Sequence, residues 1–190
     1  MRTPALLLLL FGLASCAQSQ SATKVEPLLR EPLPVLEYQG PSSLSQVVTN
    51  TYGPEKHSLR VETEFAPGRM VMVGVSHLGA PLFELVLENG TLQSRTLGAT
   101  TLPFDPRFIL SDVQLAYWPF DKVRAALRKG GYELRQSDDR TERLIYDPYE
   151  KLIVRILFTQ QGDGGADLRI QHFDLPYELQ IETLEQGGIT

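Results

Sequence analysis

Cysteine is almost missing from this chain: Cys16 is the only one in 190 residues. No internal disulfide can therefore form, even in a compartment that would allow one. Histidine is nearly as scarce. His57, His77 and His172 stand far apart, and no His-x-His, His-Glu-x-x-His or Gly-x-Ser-x-Gly pattern occurs, which removes the common spacings for a zinc site or a serine nucleophile. Each histidine reads as a surface or hydrogen-bonded side chain. Asp163 and Asp167 stand in a glycine-rich loop but lack the full ligand spacing of a calcium loop. Basic runs are absent as well. With 18 Lys and Arg against 23 Asp and Glu, the net charge is −5, which offers no footprint for nucleic acid and no polybasic patch for anionic lipid. The sequence thus implies no metal, no cofactor and no nucleic-acid partner.

The first residues are more informative. A basic start at Arg2, an apolar run over 5–13, and small residues at Ala14 and Ser15 make up an export signal. The run is too short to cross a bilayer, which takes roughly 20 apolar residues. Leu13-Ala14-Ser15-Cys16 matches the lipobox of bacterial lipoproteins, in which the cysteine thiol is diacylated and the amine freed by cleavage is then acylated. Cys16 is the expected lipidation site, after which no free thiol remains. Residue 17 is Ala rather than Asp, which in such lipoproteins implies delivery to the outer membrane, facing the periplasm. The expected organisation is a signal peptide over 1–15, a lipidated flexible tether over 16–34 carrying Pro27, Pro32 and Pro34, and one folded domain over 35–190.

Within the domain the dominant period is two. Leu59, Val61, Thr63 and Phe65 alternate with Arg60, Glu62 and Glu64, and the same alternation returns over 177–183, as in strands with one wet face. Further strands are expected over 44–52, 70–76, 81–88, 91–97, 132–136, 143–146, 152–159 and 167–175. Asn89-Gly90 is a two-residue hairpin turn, which also accounts for the formal glycosylation pattern Asn89-Gly90-Thr91. One interval differs. Asp105-Pro106 is a helix start with a capping side chain and proline at the first position, Trp118-Pro119 ends that helix and opens a second, and Gly130-Gly131 stops the second. The order implies a mainly β, α+β fold: a curved antiparallel sheet of eight to ten strands forming an unclosed half-barrel, covered by two short helices. An interior of this kind need not be completely filled by side chains.

The lipobox, the segment Ser76-His77-Leu78-Gly79-Ala80-Pro81-Leu82-Phe83-Glu84-Leu85 and the segment Ile109-Leu110-Ser111-Asp112-Val113-Gln114-Leu115-Ala116-Tyr117-Trp118-Pro119 resemble a group of bacterial lipoproteins related to LolB, the outer-membrane receptor that takes lipoproteins from the periplasmic carrier LolA. The resemblance implies a LolA/LolB-like half-barrel, an apolar cavity for acyl chains, a LolA-like carrier as partner, and an association with aryl polyene gene clusters. It also implies a protruding apolar residue on one hairpin loop, matched here by Leu78 followed by Gly79. Met70, Met72, Leu85, Phe108, Ile109, Val113 and Trp118 are the expected acyl-binding lining, although by pattern alone apolar strands are more often core. The expected function is binding or transfer of a lipid or lipidated cargo by a monomer, without catalysis. A structural or assembly lipoprotein with no cavity is the alternative, and a lipid hydrolase the third.

Overall fold

The computed structural model describes residues 26–98, 102, 104–160 and 166–188. Five strands come first: β1 (Ser43–Tyr52), β2 (Glu55–Ala66), β3 (Arg69–Val75), β4 (Pro81–Glu88) and β5 (Thr91–Thr96). Helices α1 (Pro106–Tyr117) and α2 (Phe120–Lys129) follow. Five more strands follow among the described residues: β6 (Glu133–Gln136), β7 (Glu142–Tyr146), β8 (Leu152–Gln160), β9 (Ala166–His172) and β10 (Tyr177–Gln186). All ten strands join one sheet in the order β5-β4-β3-β2-β1-β10-β9-β8-β7-β6, and the neighbours are antiparallel throughout.

Local chemistry explains where each element begins and ends. The Asp105 side chain accepts from the Arg107 amide at 3.0 Å, and Pro106 fills the first helical position of α1. Pro119 bars the helical region to Trp118, which is extended at φ −72°, ψ 154°. Asn89 and Gly90 both take positive φ, 49° and 80°, the pair that lets a two-residue turn follow the twist of β4 and β5. The last strand but one stops at His172 rather than running on to residue 175, because residues 173–176 form the turn into β10.

The sheet is curled around α1. That helix approaches β4, hydrogen-bonds β1 through Tyr117 and Gln46 at 2.8 Å, and meets β7 where Arg143 donates to the Leu115 carbonyl at 2.6 Å. In a flat sheet β4 and β7 would lie seven strand spacings apart, ~34 Å, which is about three helix diameters. Only a curled sheet brings both to one helix. β5 and β6 remain the two ends of the sheet, so the barrel is unclosed, as its strand and helix order implied. Alternate residues of β1, β2, β3 and β10 point inward and are buried. Gly74 belongs to this inward set: the Phe83 ring lies where its Cβ would be, so the missing side chain makes room for the ring.

The expected boundary at residue 34 moves. Residues 26–34, read as flexible tether, lie along α1 as a strap. The Leu33 amide donates to Gln114 Oε1 at 2.9 Å, Gln114 Nε2 returns a bond to the Leu33 carbonyl at 3.0 Å, and the Leu29 amide donates to Ser111 Oγ at 3.3 Å. Leu29 and Leu33 are buried in the common core. The prolines that suggested a linker have a different use here. They remove backbone donors that an extended segment on an apolar surface could not satisfy.

Candidate functional site

The residues expected to line an acyl cavity gather on one interior. Met70 and Met72 of β3, Leu85 of β4, and Ile109, Val113 and Trp118 along and just after α1 belong to one buried cluster. Met70, Met72, Leu85, Ile109 and Trp118 are 0% exposed, so no space large enough for a water molecule touches them, and the expected hollow is filled by protein. Phe108 differs from these. It is half-buried at the start of α1 and lines a cleft of about 190 Å³ shared with Glu26, Pro27, His172 and Leu175.

Part of the filling comes from the strap and the turn that follows it. Tyr38 stacks on Phe65 with ring centroids 3.9 Å apart and tilts towards Trp118 at 5.0 Å. Trp118 Nε1 donates to the Pro34 carbonyl at 3.0 Å, and Leu33 and Val35 are buried beside them. An outer ion pair, Lys122 with Glu37 at 2.9 Å, is partly solvent-exposed and holds the strap only weakly. Under the strap a cleft of about 80 Å³ remains between Leu29, Pro32, Leu92, Leu110, Ser111 and Gln114.

Besides Gln46, two polar groups tie α1 to the sheet. Arg143, inward-facing on β7, donates from Nη1 to the carbonyls of Leu115 and Trp118 at 2.6 and 3.1 Å and from Nε to Gln136 Oε1 at 3.1 Å. It thereby satisfies carbonyls at the C-terminal end of the helix, and burial draws its guanidinium down to about 10. No sequence motif marks this role. The available signal is that Arg143 shares the strand phase of the buried Ile145.

His172 of β9 is the second group. Its Nε2 lies 3.1 Å from Asp112 Oδ1, with both side chains buried. Burial lowers the histidine pKa, but the Asp112 charge and hydrogen bond, together with Asp174, outweigh it and leave it above its ordinary 6.5. A raised folded-state pKa contributes stability below 6.5 that is lost as pH climbs through the raised value. Urea midpoints should therefore fall across that window, and His172→Gln should flatten this part of the profile; an unchanged slope in the variant would assign it to another group.

The remaining expected site is a loop. Residues 76–80 form a compact turn in which the Ser76 amide donates to the Ala80 carbonyl at 2.8 Å and Gly79 takes φ 80°, a conformation that suits glycine. Leu78 at its tip is 96% exposed. Cys16, the tether before residue 26 and Asp163 lie outside the described residues. Among the described residues no group of three His, Cys, Asp or Glu is placed to hold a metal ion, and no helix is long and apolar enough to cross a membrane.

These features define a class: a mainly β domain in which one curled, unclosed antiparallel sheet wraps two helices and an N-terminal strap. The chain belongs to the DUF3261 family, described as proteins of unknown function, whose model matches residues 43–185. No curated protein matches. Among solved structures, a DUF1329 family protein from Desulfovibrio piger is similar at 12% identity and a TM-score of 0.41, covering 80% of this chain and 87% of that one. A putative outer membrane lipoprotein-sorting protein domain from Vibrio parahaemolyticus is similar at 8% identity and a TM-score of 0.41, covering 77% and 84%.

Proposed function

We propose that this protein is an outer-membrane lipoprotein, anchored through Cys16, that binds or transfers a lipid or lipidated cargo at the periplasmic face without catalysis. The supporting observation is the strap: the interior is completed by a chain segment that is separate from the sheet and held along α1 by few polar contacts. Burial of Leu29, Leu33 and Val35 stabilises the docked strap by about 2 kcal/mol each. A cargo chain of ~16 carbons gains on the order of 10 kcal/mol by leaving water, so it can compete for the same seat. In this reading the filled interior is the unloaded state, the strap yields to cargo, and Met70, Met72, Leu85, Phe108, Ile109, Val113 and Trp118 line the opened site. A LolA-like carrier is the donor the reading requires.

Leu78 is the release element in this reading, because an isolated leucine on a rigid turn can enter a bilayer or cargo at little conformational cost. Leu78→Glu should fold normally and slow cargo transfer to vesicles about tenfold or more, since a carboxylate costs a few kcal/mol to immerse. Unchanged transfer would remove Leu78 from the mechanism.

The second reading, an assembly lipoprotein that contacts another envelope protein, is favoured by the zero exposure of Met70, Met72 and Leu85. Native mass spectrometry of the mature protein mixed with a triacylated lipopeptide separates the two. A one-to-one complex supports the carrier, no complex at saturating lipopeptide supports the assembly protein, and ester cleavage would point to a hydrolase.

A further inference from the structure

Six large apolar side chains are conspicuously exposed among the described residues: Leu36, Tyr52, Leu78, Tyr149, Phe173 and Leu184. Four of them share one edge of the sheet. Because every neighbouring pair of strands is antiparallel, the turns β1–β2, β3–β4, β7–β8 and β9–β10 all fall on the same rim. Tyr52 sits at the first, Leu78 on the second, Tyr149 on the third and Phe173 on the fourth. The Gly53 amide bonds the Pro176 carbonyl at 3.0 Å, linking two of these turns directly. Of the other two exposed side chains, Leu36 lies by Gly68 in the β2–β3 turn, on the opposite edge, and Leu184 is near the far end of β10.

The N-terminal segment meets this same rim. Glu26 and Pro27 share the 190 Å³ cleft with His172, Asp174 and Leu175 at the β9–β10 turn. Glu26 lies ten positions after Cys16, a reach of at most ~35 Å. The chain therefore leaves the folded domain towards Cys16 beside this edge, rather than beside the edge with the β2–β3 turn, which sets the anchor nearest to the rim.

We propose that the four-turn rim is a membrane-docking surface, with Tyr52, Leu78, Tyr149 and Phe173 seated together in the headgroup layer of the bilayer that holds the anchor. This rests on the anchor reading and goes beyond the release role given to Leu78. The shape of the rim selects a lipid surface over a protein partner. Successive turns are two strand spacings apart, ~10 Å, so the four side chains are separate prongs along an arc and form no continuous patch. The tips of an arc on one edge of a half-barrel can all touch one plane. Tyrosine and phenylalanine suit that layer, where an apolar ring meets polar surroundings. The charges on these turns are mixed, with Lys56 and Lys151 beside Glu55, Asp147 and Asp174, so zwitterionic lipid suffices.

The test uses the mature lipoprotein, purified from membranes and reconstituted in vesicles of phosphatidylethanolamine and phosphatidylglycerol. Tyr52→Cys, Tyr149→Cys and Phe173→Cys each place one polarity-sensitive fluorophore on the rim, and Pro67→Cys, exposed on the β2–β3 turn, places it on the opposite edge about 30 Å away. All four positions are exposed, so folding is undisturbed. The expected result is a blue shift of about 10 nm or more and quenching by spin-labelled lipid at the three rim sites, with neither at residue 67. Water-like emission at the rim, or equal quenching at both edges, overturns the docking surface. Failure of the anchor reading registers separately, because an unacylated Cys16 would itself take up the label in the unsubstituted protein.

Discussion

Trp118→Ala should lose about 4 kcal/mol of unfolding free energy, the largest loss expected from a single substitution in this chain. The side chain is fully buried, so its removal leaves a cavity that the curled sheet cannot close without moving. Its contacts also come from distant parts of the sequence. The ring meets Tyr38 and Phe65, and Nε1 is the donor for the Pro34 carbonyl, so truncation strips a hydrogen bond from the strap as well as removing packing. Urea unfolding followed by circular dichroism measures the loss directly, since the variant has no tryptophan to report. A loss below about 1 kcal/mol would mean that the strap and helix do not pack as described.

Arg143→Ala should cost about 3 kcal/mol, by a different route. The deleted guanidinium leaves the Leu115 and Trp118 carbonyls without their donor in a buried place. Shape alone does not compensate. Arg143→Met should lose nearly as much as Arg143→Ala, whereas Arg143→Lys, which keeps a donor but not the fork, should recover part of the difference. If Arg143→Met were as stable as the native chain, the helix-capping role would be wrong and only the packing over Phe158 would matter.

Most of the fold could be read locally. The alternation in β2 and β10, the Asn89-Gly90 turn, the Asp105-Pro106 start and the Gly130-Gly131 stop each depend on neighbouring residues, and each lies where its chemistry put it. What could not be read depends on partners far along the chain. The pairing of β1 with β10 brings residues 44 and 186 together, and no local pattern carries that information. The inward polar side chains Gln46, Asn50 and Thr183 interrupt the apolar phase of their strands; Gln46 does so because its amide bridges Tyr117 and Thr183. The strap escapes a local reading for a related reason. Three prolines in a short segment resemble a linker until Gln114, about eighty residues later, supplies the donor and acceptor that dock it.

The candidate site is less legible in the sequence than the fold. Met70, Met72, Ile109, Val113 and Trp118 follow from the family resemblance, while periodicity shows only that their strand and helix carry apolar faces. Whether those faces enclose space or protein is decided by residues 26–38, which carry no strand or helix period. The rim was equally hidden. Tyr52, Tyr149 and Phe173 are scattered through the sequence, and only the antiparallel order collects their turns on one edge.

Displacement of the strap by a hydrocarbon chain is the claim on which the functional reading rests, and the Leu33 amide reports on it directly. Its only described acceptor is Gln114 Oε1, so its hydrogen exchange follows strap opening. Adding a triacylated lipopeptide should accelerate exchange at Leu33 at least tenfold while amides of α1 keep or gain protection. Unchanged or slower exchange at Leu33 under saturating lipopeptide would contradict the account, because cargo would then leave the strap in its seat.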